Sequence, residues 1–433
     1  MKRILIAVMW AVMWLALSSS NSTAEVAEVG HGPRAIGMGQ AQVAVANDHA
    51  AVYYNPACLL LARERWEMTE LGLLAQYGNS GYAPYLSLNG VDQEYPYVSA
   101  TTVGAVIPLG RRVTAGLSVY FPEDWTLVII LNTGPRFVRF MPSRQPHGTV
   151  GAALKITDKL SIGASQSFVP QWNFTTINLN LAGILAGVGL PLGEPAVNVQ
   201  PHMSFDTLLG VNYQFGALYK PFKWLSVGAN YTYKIGTDIY IPIYLPPSIL
   251  PETSVIARLK MGYKPTRLSF GVGLYPSEHM TIAVDMAYDM WSQVNYHYLT
   301  LQSSDPNLLN LQPPEFELED VWIPRVGFEY RNKFPGSFSR AEYAVRTGYS
   351  FYKSPYPEMP EDTWYIDNDA HYYSAGLSLG YHPKRRLKYI GIDYYWDYID
   401  MVKRSHKDIT RNPAVIVSDG YIIYAGFAVT VQL

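Results

Sequence analysis

From residue 66 onward, apolar side chains alternate with small or polar ones along stretch after stretch of this chain. In Gly420 to Leu433 one face carries Tyr421, Ile423, Ala425, Phe427, Val429, Val431 and Leu433. The other carries Gly420, Ile422, Tyr424, Gly426, Ala428, Thr430 and Gln432. Successive side chains of a strand point to opposite faces, so a period of two means a sheet with one apolar and one small or polar surface. Residues 224–234 and 280–290 divide in the same way, as do 206–219 and 373–382. The pattern predicts strands at 66–77, 97–108, 112–121, 148–157, 160–169, 206–219, 223–234, 253–262, 267–275, 279–291, 320–331, 341–352, 370–382, 387–398 and 420–433. A chain of 433 residues normally divides into two or three domains. No Ser/Gly-rich or charged linker interrupts this series, so one closed sheet accounts for it best.

Period alone does not separate a soluble sandwich from a membrane barrel. Trp66, Trp224, Trp291 and Trp322 fall at predicted strand ends, where an interfacial aromatic girdle would place them. A closed barrel also leaves no unpaired backbone edge, which lipid would not tolerate. Single-chain bacterial barrels carry an even number of strands, whereas the predicted segments number fifteen. Reading Tyr263-Lys264-Pro265-Thr266 as a kink in one long strand, 253–275, brings the count to fourteen.

The first residues have the form of an export signal, with Lys2 and Arg3, an apolar run Ile4–Leu17, and Ser22-Thr23-Ala24 before a mature start near Glu25. No later stretch is long enough to span a bilayer as a helix; residues 181–192 come nearest. A formal charge of −2 lacks the basic excess of a nucleic-acid binder. The single cysteine, Cys58, excludes an internal disulfide framework. No GxSxG or HExxH occurs and the histidines are scattered, so neither an enzyme nor a cofactor or metal site is expected.

Residues 30–59, GHGPRAIGMGQAQVAVANDHAAVYYNPACL, follow neither period and read as a compact irregular plug ahead of the barrel. A phosphate-binding loop would need a preceding strand and a following Lys-Ser/Thr, and has neither. The segment resembles the hatch of the FadL family of outer-membrane transporters through Arg34-Ala35, Gly37-Met38-Gly39, Asp48 and Tyr53-Tyr54-Asn55-Pro56-Ala57. The resemblance continues through LLGVNYQFGALYKPFKWLSVGANYTY (208–233), MTIAVDMAYDMWSQ (280–293), VWIPRVGFEYRN (321–332) and AVRTGYSFYKSPYP (344–357). It implies an all-β transmembrane antiparallel barrel of fourteen strands, with a signal peptide at 1–24, a hatch at 25–65 and the barrel at 66–433. It also implies a working unit of one chain in the outer membrane, surrounded by outer-membrane lipid. The implied function is passive uptake of long-chain fatty acids or other hydrophobic small molecules.

The site residues follow from that resemblance. In the hatch they are Arg34, Gly37, Gly39, Asn55, Pro56 and Ala57, with Pro56 restricting its own φ and pushing Asn55 toward extended backbone. For a lateral opening they are Gly116, Phe121 and Pro122. For capture on an extracellular loop they are Phe174, Leu181, Ile184, Leu185 and Leu190, an apolar concentration of the kind that marks a binding surface. By alternation, Asp285, Arg325, Glu329 and Arg346 point into the lumen, either as structural pairs or as partners for a carboxylate. Residues 160–180 contain no Lys or Arg, and Trp291-Ser292 is followed by Gln293-Val294-Asn295-Tyr296-His297-Tyr298. The family's basic carboxylate binders are thus not retained there, which favours a neutral hydrocarbon or aromatic ligand over a fatty acid. A related barrel serving as a secretion or surface-anchoring scaffold is the alternative.

Overall fold

The structure, a computed structural model, describes residues 30–68, 72–88, 90–93, 98–122, 147–171, 208–244, 254–293, 299–303, 318–356, 368–383, 387–407 and 415–433. Its strands are β1 (Leu74–Leu88), β2 (Val91–Gln93), β3 (Val98–Pro108), β4 (Val113–Pro122), β5 (His147–Lys155) and β6 (Leu160–Gln171). There follow β7 (Leu208–Phe222), β8 (Leu225–Thr232), β9 (Ile235–Tyr244), β10 (Ser254–Lys264), β11 (Thr266–Ser277) and β12 (Met280–Met290). The last are β13 (Leu299–Ser303), β14 (Val321–Lys333), β15 (Ala341–Tyr352), β16 (Ala370–Tyr381), β17 (Tyr389–Lys407) and β18 (Val415–Gln432).

Fourteen strands form one antiparallel ring in the order β1, β3–β8, β11, β12 and β14–β18. It closes where β1 pairs with β18, from Leu74↔Gln432 to Leu88↔Ser418. β2 pairs only with the outer end of β1 and is not part of the ring. Alternation decides what each face meets. Val103, Leu117, Val150, Ile162, Phe215, Val227, Phe270, Val284 and Val326 are exposed on the outside. Their sequence neighbours Ser118, Thr149, Ser226, Asp285 and Arg325 are buried on the inside.

The count of fourteen stands, but not through one long strand at 253–275. β10 ends at Lys264 and pairs with β9 and β13 in a separate three-stranded sheet, whereas β11 begins at Thr266 and pairs with β8 and β12 in the wall. Pro265 lies between them and has no N–H to carry a ladder through. The chain leaves the wall from β8, β11 and β12, and re-pairs as β9, β10 and β13.

The first wall strand also begins later than 66–77, because residues Leu59–Arg65 are helical and Trp66 caps that helix. Trp66 is therefore 9% exposed and Trp291, in a 3₁₀ turn, is 4% exposed; neither joins a girdle. Trp224 and Trp322, at 54% and 53%, do face outward.

If the outer face meets hydrocarbon, Val284→Arg at mid-height of β12 should cost about 2–4 kcal/mol. Folding into phospholipid vesicles followed against urea measures this, and Val284→Ala at the same position provides the comparison.

Candidate functional site

Residues 30–68 form a compact segment of short helices, α1 (Pro33–Gly37), α2 (Ala51–Tyr54) and α3 (Leu59–Arg65), with a 3₁₀ turn at Pro56–Cys58. Pro33 occupies the first turn of α1, where its missing N–H is not needed. Ala35, Ala41, Ala44, Ala46, Ala50, Ala51 and Ala57 are all buried. Side chains this small let the backbone itself approach the surrounding strands.

The wall answers with glycine. An added Cβ at Gly104 of β3 would run into the His49 ring, at Gly216 of β7 into Asn55, and at Gly228 of β8 into Val43. At Gly163 of β6 it would meet Pro56 and Ala57, at Gly327 of β14 Met38, and at Gly348 of β15 Gly39. At Gly116 of β4 the neighbours would be Val52 and Leu59, each at 2.6 Å. Gly39 combines both reasons for glycine, having φ of +60° and an added Cβ only 2.6 Å from Tyr349 N.

Hydrogen bonds fix the same contacts. Asn55 has extended backbone (φ −163°, ψ 104°) and donates from Nδ2 to Val43 O at 2.7 Å and to Ala217 O of β7 at 3.0 Å. Its Oδ1 accepts from Ala57 N at 3.1 Å. Ser161 of β6 donates to Ala57 O, Ser226 of β8 to Ala44 O, and Val43 N donates to Asp285 of β12 at 2.8 Å. Gln432 of β18 donates to Trp66 O. Cys58 lies buried with Sγ 3.4 Å from Val43 O, and burial pushes its thiol pKa up.

Ion pairs tie the segment to the opposite wall. Arg34 meets Glu329 of β14 at 3.2 Å and donates to Gln42 Oε1 and Val45 O, both at 2.9 Å. Glu329 also accepts from Arg346 of β15 at 2.6 Å, and Arg346 reaches Asp393 of β17 at 3.1 Å. Lower down, Arg65 meets Glu342 at 3.0 Å; burial brings the Arg65 pKa down to about 10. Removing one member of a buried pair strands the other charge, at a cost of about 3–5 kcal/mol.

Two histidines mark the junction with β3 to β5. His31 and His147 of β5 approach through their Nε2 atoms at 2.7 Å, so one ring donates and the other accepts. Tyr53 stacks on His31 with ring centres 3.9 Å apart. His49 is buried against β3 with neither ring nitrogen hydrogen-bonded. Desolvation lowers its pKa from the ordinary 6.5, and the neighbouring Asp48 opposes that shift.

Above the segment the lumen opens into a cavity of about 1270 Å³, its mouth included. Gln40, Val43, Tyr53 and Tyr54 make the floor. Asn212, Gln214, Asn230 and Thr232 give one wall polar character, while Trp291, Ile323, Tyr352 and Tyr372 make another largely aromatic. Lys264, Arg267, Arg325 and His147 bring cationic groups to it, and Asp289 brings an acid. Arg267 and Asp289 pair in a fork at 2.5 and 2.8 Å.

All six hatch candidates are in contact with the wall or with the bonds that hold the segment to it. Of the four lumen candidates, Asp285, Glu329 and Arg346 are spent on that attachment, and only Arg325 lines the open cavity. At the expected lateral opening, Gly116 packs on the segment and Phe121 faces outward at 45% exposure. The ladder from β4 to β3 runs unbroken to Ala100↔Pro122, while that to β5 is described to Tyr120↔His147. Phe174, Leu181, Ile184, Leu185 and Leu190 lie outside the described residues. Lys264 and Arg267 went unrecognised because Lys264-Pro265-Thr266 reads locally as a kink. Their signal was a cation on each side of a strand-breaking proline.

The sequence profile of a family described as outer membrane protein transport protein (OMPP1/FadL/TodX) matches residues 10–423. Among solved structures, a Pseudomonas aeruginosa FadL homologue aligns over 93% of this chain and 97% of its own, with 17% identity and a TM-score of 0.57. The P. putida toluene transporter TodX aligns over 93% and 99%, with 15% identity and a TM-score of 0.58. The CymD monoaromatic hydrocarbon channel aligns over 94% and 98%, with 15% identity and a TM-score of 0.51. No curated protein sequence matches the chain. At these identities the structural likeness establishes the fold.

Gly216→Val should expel Asn55 and leave residues 30–68 open to protease while the barrel keeps its heat-modifiable migration on gels; unchanged protection would count against the contact. The attachment should also weaken in acid. An unseated His49 takes up a proton as pH falls below 6.5, whereas the buried ring resists it, so seating is strongest above that pH and declines below it. Hydrogen exchange of the segment at pH 7.5 and 5 should show the decline, and His49→Gln should make it shallower.

Proposed function

The chain belongs to the outer membrane transport protein family OMPP1/FadL/TodX, and from that premise we propose that it is a passive importer of acid-headed hydrophobic molecules, long-chain fatty acids among them. The cavity above the N-terminal segment carries this reading. Lys264 and Arg325 line it beside an Arg267–Asp289 pair that already neutralises its own acid. A carboxylate entering there would come within reach of these cationic side chains in a partly desolvated site, where charge-assisted hydrogen bonds are strong. Trp291, Ile323, Tyr352 and Tyr372 offer the apolar surface for the rest of the molecule. The cations absent from residues 160–180 are thus replaced from β10, β11 and β14.

The path begins at the extracellular mouth, with Phe174, Leu181, Ile184, Leu185 and Leu190 as the capture surface. It continues into the cavity and ends when the amino-terminal hatch, assigned to residues 25–65, shifts. Gly116, Phe121 and Pro122 of β4 form the lateral exit beside it. Support comes from the position of the His31–His147 contact, which joins the hatch to β5 next to Tyr120 of β4. The sequence carries no nucleotide-binding motif, and partitioning down a gradient supplies the drive.

The aromatic wall favours a second ligand, a neutral aromatic hydrocarbon, as the names of the TodX and CymD relatives indicate for those proteins. The two ligands separate in one experiment. Cells expressing Lys264→Gln/Arg325→Gln should take up labelled oleate at least about a hundredfold more slowly, since two charged hydrogen bonds at about 1.5–3 kcal/mol each are lost, while alkylbenzene uptake stays unchanged. Equal loss of neither or both would reject the carboxylate assignment. Asn55→Ala should slow both without preventing assembly. A barrel that supports no uptake yet retains a bound protein would point to the scaffold role.

A further inference from the structure

Three adjacent turns at one end of the barrel carry an unusual pairing of cations with exposed apolar side chains. They are Leu109–Arg112 between β3 and β4, Ile156–Lys159 between β5 and β6, and Lys223–Trp224 between β7 and β8. Hydrogen bonds join their flanks into one continuous rim: Lys155 N donates to Arg112 O at 2.8 Å, and Lys220 N to Lys159 O at 2.7 Å. Arg63 of α3 reaches the same rim by donating to Gly110 O at 2.6 Å. Short turns belong to the periplasmic end of such a barrel, so this rim meets the inner leaflet of the outer membrane.

Between α3 and the turns lies an open pocket of about 820 Å³. Among the described residues, Arg63, Arg111, Lys155, Lys159 and Lys220 line it together with Glu64, Glu67 and Asp158. Two of those acids are already engaged, Asp158 by Lys155 at 2.7 Å and Glu64 by Lys220 at 2.5 Å. Arg112 and Lys223, in the β3–β4 and β7–β8 turns, are exposed. Cationic side chains thus outnumber acidic ones in the pocket lining.

On the lipid side, the same turns present Leu109, Ile156, Phe222 and Trp224, all exposed. The Phe222 and Trp224 rings are stacked, with centres 5.3 Å apart and planes 2° from parallel. Aromatic rings beside Lys and Arg suit the boundary of a bilayer, with the ring at headgroup depth and the cation at the phosphates. An acidic polypeptide would complement the cations but leave this apolar margin, continuous with the lipid-facing wall, without a role.

We propose that this sector of the rim seats an anionic phospholipid of the inner leaflet. Its phosphate lies against Arg111, Arg112, Lys159 and Lys223, and its acyl chains run along Leu109, Ile156 and Phe222. The site is separate from the luminal cavity and makes the barrel selective for the lipid at its periplasmic edge.

The mature protein is reconstituted in nanodiscs of phosphatidylcholine mixed with phosphatidylglycerol, and retained lipids are counted by native mass spectrometry. Phosphatidylglycerol should be enriched over its bulk fraction, and its relative affinity should fall by more than about thirtyfold in Lys159→Glu/Lys223→Glu, since two cations at about 1 kcal/mol each near a charged surface are lost and reversed. Lys159→Gln/Lys223→Gln should show a smaller loss of the same kind and carries the test where charge reversal impairs folding; heat-modifiable migration reports folding in each case. Lys333→Glu/Arg340→Glu, on the β14–β15 turn, should leave the enrichment intact. Equal retention of both lipids overturns the proposal, as does equal loss from the β14–β15 variant. Displacement by inorganic phosphate alone would assign a free-anion site instead, and displacement by polyglutamate at similar strength would assign an acidic protein partner.

Discussion

A sheet immersed in hydrocarbon cannot leave backbone groups unpaired, and everything else in this molecule follows from closing it. Once β1 meets β18, the apolar face is committed to the outside and the small or polar face to an enclosed space. That space is too wide for ordinary side chains to fill. The chain fills its lower part with its own amino-terminal residues and leaves the upper part as the cavity.

Filling a barrel with backbone rather than with side chains imposes a steric condition on both partners. The segment contributes alanine and glycine, and the wall contributes inward glycines where the two meet. Polar atoms thereby enclosed still need partners. Asn55, Ser161, Ser226 and Asp285 serve main-chain groups on one side, while Arg34, Glu329, Arg346 and Asp393 form an alternating series of charges on the other. Luminal charge is therefore divided between two tasks, with the attachment claiming most of it and the cavity keeping Arg325 and the residues around Pro265.

Much of the wall was legible from alternation, because which way a strand residue points is a local property. Asp285, Arg325, Glu329 and Arg346 were assigned inward on that basis and are buried there. Register and membership of a sheet are not local. Residues 254–264 alternate like a wall strand, yet they pair outside the ring, and the decision rests on partners far away in sequence. Trp66 and Trp291 show the same limit, since a tryptophan near a strand end is interfacial only if the chain is in the wall at that point. The role of the glycines was invisible in composition. It becomes apparent only when one inward glycine on strand after strand is brought to the height of the amino-terminal segment.

Cys58 has a practical consequence for anyone who wishes to watch this molecule at work. It is the chain's sole thiol, enclosed between main chain and wall and held in its protonated, unreactive form. Thiol-directed dyes and spin probes will therefore pass over the native protein. A cysteine engineered at a solvent-facing position can then be labelled without first removing the resident one, so distances between the amino-terminal segment and the strands can be followed in an otherwise unaltered background.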